Sequence, residues 1–150
     1  MQYAESAVKA SPSDPKLIGN LGVMYYHNVD WPDAVKELSL VINGGTTDNG
    51  QKVASIQLTT DTHITEYYFT YALVLAHLNR CGEALQIAQL IQSRVPSDDI
   101  AMTNAAAAIQ VCQKNLASPS VPTPATSSKV KSTPVPETTS TPISIATSTP

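Results

Sequence analysis

The sequence predicts an all-α protein of about six short helices, followed by a disordered tail rich in Ser, Thr and Pro. Apolar residues recur at three- and four-residue steps through most of residues 1–116. Capping aspartates, prolines and glycines separate these runs at short intervals. Residues 117–150 contain no aromatic residue and no hydrophobic period. Such a segment cannot bury enough apolar surface to offset the entropy lost on ordering, so we expect it to stay unfolded.

Capping signals divide the first part of the chain into three helices. Residues 1–10 form a helix with an Ala-rich apolar stripe. Asp14, followed directly by a proline, is a start signal for a second helix, which reaches about residue 28. Asp30 caps a third helix, and the Gly44-Gly45 pair ends it.

Residues 46–61 interrupt this helical pattern. The turn signal Asp48-Asn49-Gly50 and a short apolar alternation predict an excursion loop with a weak hairpin. Helical periodicity returns near residue 65, and a further helix follows from Gly82 to Arg94. The Pro96-Ser97-Asp98 segment then precedes a last, Ala-rich helix.

The spacing of small and aromatic residues repeats along the chain. Leu21 lies thirteen residues before Ala34, and Tyr71 lies thirteen residues before Ala84. This pattern resembles the tetratricopeptide repeat, a helix–turn–helix unit of about 34 residues with a Leu-Gly pair, an aromatic residue, a small Ala and a closing Pro. The residues that match these repeat positions are Leu21, Gly22, Tyr25, Ala34, Tyr71, Ala72, Ala84 and Pro96.

The resemblance covers roughly residues 1–116 and implies a helical solenoid. It departs from the family at Ile18 and Tyr68, where Trp is frequent, and at Thr46, where the closing Pro is missing. Because a repeat cannot bury its apolar face alone, we expect an upstream domain of the same protein. The predicted division is a half repeat 1–14, a repeat 15–46, an insert loop 46–61, a repeat 65–98, a closing helix 99–115 and the tail 117–150.

Charge and composition exclude several functions. The chain has a net charge of −3, and because Lys129, Lys131 and Glu137 give the tail +1, residues 1–116 carry −4. The scattered Lys and Arg form no basic patch, which argues against a nucleic-acid partner. No apolar run reaches the ~18–20 residues of a transmembrane segment. No catalytic, cofactor-binding or metal-ligating constellation can be assembled, so we expect no enzyme activity and no cofactor.

The resemblance implies a concave groove lined by the first helix of each unit. His27 and His77 occupy equivalent positions at the ends of two such helices. The alternative is that these side chains lie on an ordinary solvated helix face. The full set of predicted groove residues is Tyr26, His27, Phe69, Thr70, His77 and Asn104.

In a stacked array of this family, the end of the closing helix lies beside the turn of the preceding unit. The resemblance thus implies that Cys81 and Cys112 come within disulfide distance. Two free thiols in a reducing cytosol remain the alternative. The mucin-like composition of the tail favours an extracellular or cell-surface location slightly over a cytoplasmic one.

The resulting functional hypothesis is a scaffold that binds a peptide or protein partner through the concave face. One alternative is a C-terminal regulatory or positioning domain of a larger enzyme, for example a membrane-bound glycosyltransferase. Another is a cell-surface spacer without a specific ligand.

Overall fold

The computed structural model describes residues 1–117, which fold into six α-helices and a short two-stranded hairpin. The predicted all-α class with about six helices is therefore confirmed. The predicted disordered tail lies outside the described residues apart from Ala117. No helix in the described part is long and apolar enough to reach across a lipid bilayer. The elements are α1 (Gln2–Ala10), α2 (Pro15–His27), α3 (Trp31–Asn43), β1 (Gly45–Thr46), β2 (Lys52–Val53), α4 (Thr62–His77), α5 (Cys81–Arg94) and α6 (Asp99–Ala117).

Aspartate side chains cap four of these helices. Asp14 accepts a hydrogen bond from the amide of Lys16 at 2.9 Å, at the start of α2. Asp61 and Asp98 cap α4 and α6 with bonds of 3.0 and 2.9 Å, and Asp30 caps α3 with a longer bond of 3.4 Å. Each carboxylate satisfies an amide that has no partner within its helix, so the helices begin where the sequence places these residues.

The turn between α2 and α3 is repeated fifty residues later between α4 and α5. Val29 and Asn79 occupy the same place in the two turns, and both have positive φ angles, of 62° and 59°. Their amides donate to the carbonyl three residues earlier at 2.9 and 3.1 Å, and the following amides donate five residues back at 2.9 and 2.8 Å. The backbone therefore follows one path twice, although a β-branched residue such as Val29 rarely adopts positive φ.

The turns that precede α2 and α6 also match, at a distance of 84 residues. The amides of Ser11 and Val95 donate to the carbonyl four residues earlier at 3.0 and 2.9 Å. The amides of Asp14 and Asp98 donate three residues back at 3.1 and 3.0 Å. Because both kinds of turn recur, the described chain is a helical-repeat-like array.

Small residues let neighbouring helices approach closely. A Cβ atom added at Gly22 would lie 2.7 Å from Cγ of Leu38 on α3. One added at Gly19 would lie 2.7 Å from the ring of Tyr67 on α4. Among the repeat positions, Tyr25 is half-buried and Pro96 is exposed, and the buried ones are Leu21, Gly22, Ala34, Tyr71, Ala72 and Ala84.

The segment between α3 and α4 packs against both helices. β1 and β2 pair antiparallel, and Val53 of β2 is buried in the core. Further along, the amide of Ile56 donates to the carbonyl of Val41 on α3 at 2.8 Å. The carbonyl of Ile56 accepts a 2.7 Å hydrogen bond from the hydroxyl of Tyr68 on α4. This segment therefore fills the space between two helices.

A disulfide joins Cys81, the first residue of α5, to Cys112 near the end of α6. Their Cα atoms are 5.4 Å apart, and both side chains are buried. Close to this bond, the side-chain amide (Nδ2) of Asn115 donates to the backbone carbonyl of Ala76 at 3.0 Å. The disulfide interpretation thus agrees with the structure, and the C-terminal end of α6 is attached to both α4 and α5.

We predict that Gly22→Val lowers the free energy of unfolding by about 1–3 kcal/mol, because its side chain must displace Leu38. Gly82→Ala is the matched control, since a Cβ at Gly82 meets no atom within 4 Å. That change should leave stability unchanged or raise it by up to about 1 kcal/mol. Urea denaturation followed by circular dichroism measures both, and equal effects would contradict the close contact.

We predict that the Cys81→Ser/Cys112→Ser double variant is less stable than the wild type by roughly 3–4 kcal/mol. The reason is that the disulfide, which joins cysteines 31 residues apart, no longer restricts the unfolded chain. Reductant should lower the melting temperature of the wild type and leave that of the double variant unchanged. Thiol titration of the denatured, unreduced wild type should detect no free thiol. Two reactive thiols would show that the bond does not form.

Candidate functional site

A cleft opens between the N-terminal half of α4 and the start of α6, and we call it the α4–α6 cleft. Its volume is about 220 Å³. The α4 residues that line it recur at three- and four-residue steps and so share one face of that helix. The lining residues are Thr62, His63, Thr65, Glu66 and Phe69 from α4, together with Asp98 and Ile100.

The apolar surface of the cleft comes from Phe69 and Ile100. Phe69 is half-buried, whereas Ile100 is 68 % exposed in the first turn of α6. Isolated apolar residues on a surface are ordinary. Here the two side chains line the same concave surface, so together they form an apolar wall open to solvent.

The polar rim of the cleft connects the two helices. The buried hydroxyl of Thr65 has one proton and two acceptors within reach, Oδ2 of Asp98 at 3.1 Å and the carbonyl oxygen of Thr62 at 3.0 Å. The other oxygen of Asp98 accepts the capping bond from the amide of Ala101 at 2.9 Å. Both carboxylate oxygens of Asp98 therefore lie beside a donor. The side-chain carboxylate of Glu66 forms no hydrogen bond or ion pair with any other residue of the described chain.

Tyr67 lies on another side of α4 and contacts α2. Its hydroxyl donates to Oδ1 of Asn20 at 2.7 Å and also lies 3.1 Å from the carbonyl oxygen of Lys16. Burial raises the pKa of Tyr67, and the negative charges of Glu66, Asp61 and Asp14 raise it further. Negative charge destabilises a phenolate, so this shift indicates an acidic environment at the N-terminal end of α4.

Four ring side chains form an aromatic cluster at the opposite end of α4. Trp31 and His77 are stacked, with ring centroids 4.6 Å apart and planes at 4°. Tyr26 lies 5.4 Å from both Trp31 and His27. Burial raises the pKa of Tyr26. Trp31 contacts Tyr26 and His77, and Tyr26 contacts His27. Three of the predicted groove residues therefore belong to this cluster, which lies near the turns that follow α2 and α4.

The other predicted groove residues lie elsewhere. Phe69 lines the α4–α6 cleft, away from the aromatic cluster. Thr70 is only 1 % exposed, so its side chain cannot contact a ligand. The side-chain amide (Nδ2) of Asn104 donates to the backbone carbonyl of Ile100 at 2.8 Å, within α6. The structure therefore does not bring the six predicted groove residues into one surface.

Three residues of these sites were not selected from the sequence. One of them is Trp31, the single Trp of the chain. Ile100 lies in the first turn of α6 and Glu66 in the second turn of α4, and a lone apolar or acidic residue carries no distinctive pattern at either place.

A second cavity lies between α1, α3 and the hairpin. Lys36 of α3 pairs with Asp48 of the hairpin at 2.5 Å, and both residues line this cavity. Burial raises the pKa of Glu37, which also lines it. The pair holds the hairpin against α3, so we regard this cavity as part of the packing.

The geometry defines residues 1–117 as a helical-repeat-like array with an apolar cleft and an aromatic cluster. Within them, no group of three or more His, Cys, Asp and Glu residues is placed to hold a metal ion. No family model, curated protein or solved structure matches the chain.

We predict that His77→Ala lowers the free energy of unfolding by about 0.5–1.5 kcal/mol, because the stack on Trp31 is lost. The emission of Trp31 should change as well, since it is the single Trp of the chain. His63→Ala is the control, because His63 is exposed and makes no ring contact with the described residues. Urea titration followed by tryptophan fluorescence measures both. Indistinguishable curves for the two variants would contradict the role of the stack.

Proposed function

We propose that this chain contains a protein-interaction module of the tetratricopeptide-repeat type, which binds a peptide segment of a partner protein in the α4–α6 cleft. The observation that carries the proposal is the exposed Ile100 beside Phe69 in a concave surface. Clefts with an apolar lining and a few polar groups are typical ligand sites. Apolar side chains of a bound peptide are commonly anchored in such grooves.

Support for the repeat type comes from the backbone. The hydrogen bonds of one turn recur fifty residues later, and those of another recur 84 residues later. Small residues lie between the helices, as at Gly22 and Ala34. These features accord with the sequence resemblance. In this proposal the role of the described residues is binding, without catalysis.

The cleft is held in shape before a ligand arrives. The hydrogen bond between Thr65 and Asp98 connects its two walls at 3.1 Å. At the far end of α6, the disulfide of Cys112 attaches the same helix to α5. A preformed surface binds with a smaller loss of conformational entropy than one that must be ordered. The disulfide also favours an oxidising compartment, because structural disulfides are rare in the cytosol.

We predict that peptides selected from a random dodecapeptide phage library on the full-length chain lose affinity when Ile100 is replaced. Ile100→Ser should weaken their binding by about tenfold or more, since burying one aliphatic side chain contributes roughly 1.5–3 kcal/mol. Phe69→Ala should act in the same direction. Fluorescence anisotropy with the synthetic peptides measures the dissociation constants.

The matched control is Leu116→Ser, which removes an apolar side chain that is 73 % exposed near the other end of α6. It should change affinity by less than about twofold, within the usual effect of a surface substitution. Circular dichroism melting curves establish that each variant is folded. Equal affinities for the wild type, Phe69→Ala and Ile100→Ser would remove the cleft from the proposal.

A further inference from the structure

The residues that line the α4–α6 cleft include two carboxylates, Glu66 and Asp98, and no Lys or Arg. The sequence has no Lys or Arg in residues 53–79 or in residues 95–113. These two stretches include α4 and most of α6. The remaining nitrogen-containing ring at the cleft is that of His63. The carboxylates of the two stretches are Asp61, Glu66, Asp98 and Asp99.

The two carboxylates that line the cleft differ in their internal contacts. Each oxygen of Asp98 lies within hydrogen-bond distance of one donor, the hydroxyl of Thr65 or the capped amide of Ala101. Glu66 is half-buried in the cleft wall and has no hydrogen bond or ion pair within residues 1–117. A cation bound beside Phe69 can therefore pair with Glu66 without breaking an internal contact.

Lys16 of α2 contacts α4 through its backbone carbonyl oxygen, which accepts from the hydroxyl of Tyr67, and it does not line the cleft. Within the cleft itself, the carboxylates of Glu66 and Asp98 supply negative charge. Such a surface repels phosphates and acidic peptides and attracts basic ones.

The size of the cleft indicates how much of a ligand it holds. Its volume of about 220 Å³ is below the roughly 300–1,000 Å³ of sites that enclose a small organic ligand. One apolar side chain of a longer peptide fits this volume better than a whole small molecule does. The peptide backbone then continues along the surface, where its neighbouring residues meet Glu66.

We infer that the partner segment carries a Lys or Arg within a few residues of an aliphatic or aromatic side chain. The apolar side chain enters the α4–α6 cleft between Phe69 and Ile100, and the cation pairs with Glu66. This inference rests on the proposed function, because it specifies the ligand of the same site. It makes the partner a basic, apolar peptide rather than an acidic one.

The test uses the full-length chain and a synthetic peptide, taken from the random library, whose binding is weakened by Ile100→Ser. A second peptide has each Lys and Arg replaced by Gln. The second peptide should bind the wild type about three- to fivefold more weakly, the upper range for an exposed ion pair. Glu66→Gln should weaken binding of the first peptide by a similar factor and should not weaken binding of the second.

Asp33→Asn is the matched control, because it removes one exposed carboxylate on α3, outside the cleft. It should leave the affinity of both peptides unchanged. Raising NaCl from about 50 to about 500 mM should reduce the difference between the two peptides, since salt screens exposed charges.

Two results overturn the inference while the proposed function stands. In the first, the peptides that depend on Ile100 lack Lys and Arg. In the second, the effects of Glu66→Gln and of the Gln peptide are simply additive, so the two groups do not interact. If no selected peptide depends on Ile100 or Phe69, the proposed function fails and the inference fails with it.

Discussion

The close approach of α2 to α3 and α4 is the constraint on which the rest of the structure depends. Gly22 leaves room for Leu38, and Gly19 leaves room for the ring of Tyr67. With its ring directly on the backbone of α2, Tyr67 reaches Asn20 with its hydroxyl at 2.7 Å. Larger residues at the two glycines would separate the helices, and this hydrogen bond and the stacking of successive units would be lost together.

The segment between α3 and α4 shows how a repeat array accommodates extra residues. Ile56 is hydrogen-bonded on one side to α3, at 2.8 Å, and on the other to Tyr68 of α4, at 2.7 Å. Val53 enters the core, and the Lys36–Asp48 pair holds the hairpin from outside. The additional chain thus contributes packing of its own, and α3 and α4 remain in contact.

Helix α4 is the centre of the proposed binding surface, and its two ends make different contacts. Its N-terminal half forms the cleft with α6, and His77 at its C-terminal end stacks on Trp31 of α3. Between them, the residues from Thr70 to Ala76 are buried, because α4 is covered by neighbours on several sides. A continuous groove along the whole of α4 is therefore absent. Its exposed residues are Thr62 and His63 at one end and His77 at the other, and Glu66 and Phe69 are half-buried.

Features that depend on a few neighbouring residues were determined by the sequence itself. The caps at Asp14 and Asp98, the six helices and the glycine stop after α3 follow from local hydrogen bonding and backbone freedom.

The tertiary structure decided which long-range pairs form. The sequence suggested the Cys81–Cys112 pair only through a resemblance, and it gave no means of placing Ile100 beside Phe69 or Trp31 against His77. It placed Thr70 on a groove, although the packed array buries it. Such pairings depend on how each helix is rotated about its axis and which neighbours cover it, and a sequence with only local patterns does not specify that rotation.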